Sequence, residues 1–428
     1  ETLLEQTPSS AAQLVEDPNQ IWIHVDFPAR TIPQRGWKLH VSATPWSARD
    51  VLDACVPVLV DLQTPFKVPA TIERLIELNE GAGGLGQAGK FLTAYPFDAD
   101  ASVDLARRLD EATRGLRGPR VLNERSLSPS SLVHYRYGDY VEDPAARASD
   151  VPPDPFIASG LVDEPQRRLI ADRYLVTADL HRSVRGAVHL AVDAVEARSC
   201  VIKRAWRDAI VTPDGKDARD RLKHEAELLV MLADDPHFPN VMDVVSEQDD
   251  LFVVMDHVEG PTFAERVRAL HSDGTPPDEA QIAAWGRDLV SALTSLHDRG
   301  FVHRDLNPIN VIAGERLILI DLELTQRIGT RSGSFGAGTI GYVSSNQQNG
   351  GPAAASDDIY GIGALLLFAA TDADPGPSKV TQTAIVEGAA SRGVALSPRL
   401  AGVIARCLAQ GGSGWTSLHD LGTALTSH

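Results

Sequence analysis

FVHRDLNPINVIAGERLILIDLE, residues 301–323, decides how the larger part of this 428-residue chain is read. His303-Arg304-Asp305 is followed five residues later by Asn310, and an apolar strand, Leu317 to Ile320, then delivers Asp321. The spacing has a chemical reason. In phosphoryl transfer one carboxylate, here Asp305, must face the acceptor hydroxyl. An amide and a second carboxylate, here Asn310 and Asp321, must converge on the magnesium ions that bridge the nucleotide phosphates. A surface loop with scattered acids seldom holds these residue types at these separations.

Upstream of this stretch, Ser199 to Arg204 has strand character and carries Lys203, and Glu225 follows in the helical run RLKHEAELLVML. A lysine that touches phosphate needs a carboxylate to hold its ammonium. Glu225 is preferred to Glu227 because Leu228, Leu229 and Leu232 then take the inward helical positions. TADLHRSVRGA, between Val176 and Ala187, stands where a loop would cover the phosphates, with Gly186 as its sole glycine. Downstream come Gly338-Thr339, Gly341-Tyr342 and the run SDDIYGIGALL with Asp358.

Together these segments resemble the protein kinase superfamily over roughly residues 170–428. The resemblance implies a bilobal domain over 167–428, with an N-lobe to about 258 and a C-lobe from about 259. It also implies ATP or another NTP held through Lys203, Glu225 and Gly186, Mg²⁺ on Asn310 and Asp321, and Asp305 facing the acceptor. Asp358 would brace the catalytic-loop backbone. Four positions depart from the family pattern. The covering loop is poor in glycine, and Asp321-Leu322-Glu323 replaces DFG. Asn307 stands where a lysine usually contacts the transferring phosphate, and Ser344-Ser345-Asn346 replaces APE, removing a structural ion pair. A pseudokinase would share this outline, but the four central polar residues are all present, so an active phosphotransferase is expected.

Composition sets the frame. Hydrophobic residues make up 43% and charged residues 23%, an ordinary globular profile. No apolar run is long enough to span a membrane. Cys55, Cys200 and Cys407 have no metal-binding spacing, so reduced thiols and a cytoplasmic location are expected. A net charge of −18 argues against nonspecific nucleic-acid binding. Residues 21–140 are neutral, with fourteen basic and fourteen acidic side chains. Within 114–136, five arginines accompany a single acid, Glu124, an excess that suits an anionic ligand.

Residues 1–20 read as a loose arm and 141–166, with five prolines, as a linker. Between them, strand-like IWIHV, WKLHVSA and FLTAYP alternate with helical ARDVLDACVPVLVDL and ADASVDLARRLDEATRGL, predicting an α/β domain over 21–140. The whole chain is thus α+β in class. Alternation along WKLHV puts Lys38 and His40 on one strand face, with Leu39 and Val41 toward the core. Lys67 lies inside the apolar run PFKV, a position where a lysine is unusual. Lys90, Tyr95 and Arg136 add further cations and a phenol, while Arg107, Arg108 and Arg114 read equally as solvated helix charges. Gly84 to Lys90 matches a phosphate-loop spacing, but Phe91 replaces the required hydroxyl and a strand rather than a helix is expected next. It is read as a loop leading Lys90 into a site.

The segments GWKLHVSATP, PFKVPATIERLIELN, GQAGKFLTAYP, ATRGLRGPR and SLVHYRYG resemble the lyase domain of class III lanthipeptide synthetases, a relative of phosphothreonine lyases. Lyase followed by kinase is also the order in class III and class IV enzymes. The resemblance spans about residues 20–428. It implies that Lys67 is the general base, His40 the general acid and Lys38 a cation near the carbonyl or phosphate. Lys90, Arg120 and Arg136 would clamp phosphate, with Tyr95 and Tyr135 orienting them, and elimination would need no cofactor. His40 would have to begin protonated, which a bound phosphate dianion favours. The expected substrate is a precursor peptide bound through a leader segment, with a homo-oligomer allowed. The chain stops near the end of the kinase lobe, as expected of a synthetase without its C-terminal cyclase or of a piece of a longer chain.

Overall fold

The structure is a computed structural model, and it describes residues 13–16, 21–28, 31–140, 151–163, 169–331, 338–376, 381–409 and 414–426. It divides into two compact units: 1–222 with 244–253, and 223–243 with 254–428.

The first unit holds a seven-stranded sheet. Its strands are β1 (Gln13–Glu16), β2 (Trp22–Asp26), β3 (Arg35–Val41), β4 (Phe66–Pro69), β5 (Leu92–Ala94), β6 (Arg125–Ser126) and β7 (Val133–Asp139). They are ordered β1-β2-β4-β5-β3-β7-β6, and the paired strands run antiparallel. β1 belongs to what reads in sequence as a loose arm: residues 13–16 pair with β2 at the sheet edge.

One sheet face is apolar because alternate residues of β3 and β7 are. Trp37, Leu39, Val41, Val133 and Tyr135 are buried there with the helices Ala48–Asp61 and Ala99–Ala112. The second helix starts where the Asp98 carboxylate accepts from Ala101 N at 2.8 Å, satisfying a free N-terminal amide. It buries Ala106 together with Val103, Leu105 and Leu109, the last three contributing about 1.5–3 kcal/mol each. Part of the expected linker joins this core. The short helix Pro155–Ala158 inserts fully buried Phe156 against Trp37 and Tyr135. A single aromatic anchor has no periodicity to betray it. Residues 141–150 and 164–168 of that linker lie outside the described residues.

Five further strands, β8 (Tyr174–Arg182), β9 (Gly186–Asp193), β10 (Arg198–Ala205), β11 (Val241–Glu247) and β12 (Asp250–Asp256), form a sheet ordered β11-β12-β10-β9-β8.

The second unit is mainly helical. Ala355–Thr371 is buried almost throughout from Asp357 to Ala370. It packs against the helices Glu279–Asp298, Gln382–Ser391 and Pro398–Cys407. Two short ladders, Phe301–Val302 with Gln326–Arg327 and Val311–Ala313 with Leu317–Leu319, carry the loops of residues 303–310 and 320–325. No described helix is long and apolar enough to cross a membrane.

Candidate functional site

The polar face of the seven-stranded sheet carries the first constellation. Strand register sets His24, Lys67, Thr93, His40 and His134 opposite one another across β2, β4, β5, β3 and β7. Directly paired residues share a face, so these five form one row. Lys38 and Arg136, two residues along, form a parallel pair on the same face. The expectation for Lys38 and His40 is met, as is burial of Leu39 and Val41, both fully inaccessible.

Glu124 organises the cations around this row. Its carboxylate is 2% exposed and lies 2.6 Å from His40 Nδ1, 2.8 Å from Lys90 Nζ and 3.0 Å from Arg136 Nε. Gly89 makes the approach of Lys90 workable: its φ is +82°, and a Cβ there would run into the Arg120 carbonyl. β5 follows Lys90, as the rejection of a phosphate loop requires. Lys38 Nζ lies 5.8 Å from the Tyr95 ring centroid, and Lys67 Nζ is 4.2 Å from that of Trp22.

The electrostatics follow from burial and crowding. Burial, then the charges of Arg136, Lys67 and Lys90, bring Lys38 down to about 8. Burial likewise lowers Lys90 and pushes the Tyr95 phenol up to about 12. Burial works against ionising Glu124, but the hydrogen bond and charge of His40, with Lys90, hold its carboxyl at about 2. His40 is drawn down to about 4, burial outweighing its bond to Glu124. The nearby charges of Lys90 and Arg136 lower it further. His40 is therefore neutral in the free protein at neutral pH, and its protonated start is expected with a phosphate dianion bound.

Two expectations read differently in the structure. Tyr135 lies on the core face of β7, its hydroxyl donating to Asp154 Oδ2 at 2.9 Å, because it alternates with His134 and Arg136. Arg120 donates to Asp250 Oδ2 at 3.2 Å rather than to Glu124. Glu124, Thr93 and His134 were missed in sequence. Glu124 had a signal, as the lone acid among five arginines. His134 is held internally, Nδ1 at 3.1 Å from the Leu132 carbonyl and Nε2 accepting from Val121 N at 3.4 Å.

The second constellation is in the other unit. Asp358, fully buried, accepts from His303 N at 2.8 Å and Arg304 N at 2.9 Å, and His297 Nε2 lies 2.7 Å away. These bonds accompany a strained φ of 67° at Arg304, the residue before Asp305. Asp305 Oδ1 accepts from Thr339 N and Oγ1, both at 3.1 Å, and Oδ2 accepts from Asn310 Nδ2 at 2.9 Å. Burial, with a further push from Asp321, raises its pKa. With its nitrogen donating to Asp305, Asn310 leaves its amide oxygen to face a cation. That oxygen and the Asp321 carboxylate are hard donors of the kind Mg²⁺ takes alongside phosphate oxygens.

The departures from the family pattern acquire structural reasons. Asn307, 1% exposed, donates to the Asp305 carbonyl at 3.2 Å and Thr339 Oγ1 at 3.0 Å, and accepts from Ile309 N and Asn310 N. It holds the loop together. In place of the APE ion pair, Asp357 accepts from Ser344 Oγ and from Asn346 Nδ2 at 3.0 Å. Leu322 is fully buried, its N–H donating to Glu225 Oε1 at 3.2 Å. In the first unit, Lys203 is half-buried on β10 opposite Val188. Gly186 is demanded by β10, since a Cβ there would collide with the Arg204 carbonyl.

The protein kinase domain family matches residues 182–401, more than half of the chain. The chain belongs to the protein kinase family. Ahead of this kinase domain, residues 4–169 match the RamC N-terminal domain. The kinase is 27% identical over 344 residues to a probable SapB synthase of Streptomyces coelicolor, covering 72% of this chain but 37% of that protein. It is 28% identical over 224 residues to serine/threonine-protein kinase C of Synechocystis, covering 49% of this chain and 41% of the relative. It is also 28% identical over 207 residues to serine/threonine-protein kinase PrkC of Bacillus subtilis, covering 46% and 30%. The chain thus spans from 30% to 41% of these relatives' lengths.

Proposed function

We propose that this kinase phosphorylates Ser or Thr of a ribosomally made precursor peptide, and that its N-terminal domain then eliminates the phosphate to leave dehydroalanine or dehydrobutyrine. The observation that carries the reading is the convergence of His40, Lys90 and Arg136 around Glu124, with Lys38 paired to Arg136 on the same sheet face and Lys67 in the row of His40. Similarity to a probable SapB synthase supports a peptide substrate.

In the first step Asp305 accepts the hydroxyl proton as the γ-phosphoryl group of ATP, or another NTP, is transferred. Its raised pKa suits that role. Mg²⁺ bound at Asn310 and Asp321 would neutralise charge on the phosphates. In the second step Lys67 takes the α-proton, a π bond forms between Cα and Cβ, and phosphate leaves with the electrons of the Cβ–O bond. His40 gives a proton to the departing phosphate. It is neutral in the free protein, so the incoming phosphate dianion supplies the negative charge that makes imidazolium favourable. Lys38, Lys90 and Arg136 balance charge on phosphate and on the carbonyl oxygen.

Intact-mass analysis of a Ser/Thr peptide incubated with enzyme, ATP and Mg²⁺ tests the sequence of steps. Gain of a phosphoryl group followed by loss of phosphoric acid supports it. A stable phosphopeptide would favour the second reading, a Ser/Thr kinase with a regulatory N-terminal domain, which the bacterial kinase similarities support. Phosphate loss from a synthetic phosphopeptide, with no nucleotide turnover, would leave a pseudokinase attached to a lyase.

A further inference from the structure

The tip of the β8–β9 hairpin, residues 183–185, is where the kinase reading puts the cover over the nucleotide phosphates. Its amides are largely engaged. Ser183 Oγ accepts from Arg185 N at 3.2 Å and Gly186 N at 3.3 Å, and Ser183 N donates to the Gly186 carbonyl at 2.9 Å. Trp206, 4% exposed, clamps the tip from outside. Its backbone N–H donates to the Arg185 carbonyl at 2.9 Å and its indole Nε1–H to the Ser183 carbonyl at 3.1 Å.

Trp206 is itself held by a charge cluster. Arg204 lies 4.4 Å from its ring centroid, with Arg120 at 5.7 Å and Arg182 at 5.8 Å. Asp250, 1% exposed, accepts from Arg204 Nη2 at 2.6 Å, Arg120 Nη1 at 3.2 Å and Arg207 N at 2.8 Å. Arg120 reaches this cluster from the N-terminal domain, and its backbone carbonyl packs on Gly89, next to Lys90. A continuous set of contacts therefore runs from the loop that presents Lys90 to the hairpin tip.

We infer that Trp206, Asp250 and Arg120 are positioning residues for the phosphotransfer step: they fix the nucleotide-covering hairpin against the N-terminal domain, so nucleotide affinity depends on a side chain outside the kinase domain. Glycine-rich covers adapt to phosphate by backbone freedom. This cover has one glycine, already committed to packing on β10, and is preset by its neighbours instead. The inference rests on the reading of the second half as a nucleotide-using kinase, not on the lyase reading.

The experiment uses the full chain and two readouts: the dissociation constant of a non-hydrolysable ATP analogue with Mg²⁺ by calorimetry, and the KM for ATP in peptide phosphorylation. Trp206→Phe keeps an aromatic ring and removes the indole donor. It is expected to weaken analogue binding and raise the ATP KM by about three- to tenfold, the cost of about one hydrogen bond, with kcat changed less than twofold. Arg120→Ala should give the same split, and Arg120→Lys should recover part of it. For Trp206→Phe, elimination from a synthetic phosphopeptide should stay within twofold of wild type, which excludes general misfolding. Unchanged nucleotide affinity in both Trp206→Phe and Arg120→Ala overturns the inference, as does a parallel loss of elimination in Trp206→Phe. Failure of the wild type to bind the analogue would sink the kinase reading itself. Failure of the wild type to eliminate phosphate would sink only the lyase reading.

Discussion

The two constellations solve opposite electrostatic problems. Around Asp305 the protein must hold carboxylates in place before any metal arrives, and it does so with neutral donors: Thr339, Asn310, and the backbone bonds to Asp358. On the N-terminal sheet it must hold Lys90, Arg136 and the His40 imidazole together before any phosphate arrives, and it does so with one buried carboxylate, Glu124. In the first site both Asp305 oxygens are thus already hydrogen-bonded. The second sets Lys38, Lys90 and Arg136 on one face with a single carboxylate, an excess of positive charge that adds to burial in lowering Lys38. That excess is the pull a dianion would meet.

The contrast can be broken by exchanging the losses. Asp305→Asn should reduce phosphorylation by about 10²–10⁴-fold while a synthetic phosphopeptide is still eliminated. Both rates can be read by mass spectrometry. A matching loss of elimination would mean that the two sites are not separate. Glu124→Gln should slow elimination about 10²-fold through misplacement of His40, Lys90 and Arg136. It should also cost about 3–5 kcal/mol of stability, because buried cations lose their partner. Denaturant unfolding checks the second figure. Asp358→Ala is the counterpart in the other unit. It should lower phosphorylation roughly tenfold and stability by about 2–3 kcal/mol, through two lost backbone bonds, and leave elimination alone.

A smaller effect concerns pH. Lys38 must be cationic for its proposed role, and with a pKa of about 8 it loses its charge as pH rises through that value. The kcat/KM for elimination should therefore fall on the alkaline side with a midpoint near 8, and Lys38→Arg should remove that limb. Stability moves the other way. The folded value lies below the unfolded 10.5, so between about 8 and 10.5 the unfolded chain binds more protons and folding strengthens as pH rises. A flat unfolding free energy across that window would contradict the burial assigned to Lys38.

Legibility followed chain continuity. Asp305, Asn310 and Asp321 lie within one short stretch, so the sequence spacing alone exposed them, and Asp358 came with its own helix signature. The sheet site is scattered over Lys38, Lys67, Lys90, Glu124 and Arg136, which only strand register and the loops carrying Lys90 and Glu124 bring together. Alternation within WKLHV paired Lys38 with His40, but nothing in sequence sets β5 between β3 and β4. Attention to cations hid the acid that holds them. Tyr135 was legible in principle, since the same alternation that exposes His134 and Arg136 turns it inward. Arg120 was not, because its partner Asp250 is distant in sequence.

The central claim is that phosphate is installed as a leaving group. Its most direct test is an intact-mass time course of a Ser/Thr precursor peptide with ATP and Mg²⁺, run with wild type and with Lys67→Ala. The wild type should convert a transient phosphopeptide into dehydrated product, and Lys67→Ala should stop at the phosphopeptide. Dehydration by Lys67→Ala at the wild-type rate, or a wild-type reaction that ends at stable phosphopeptide, would contradict it.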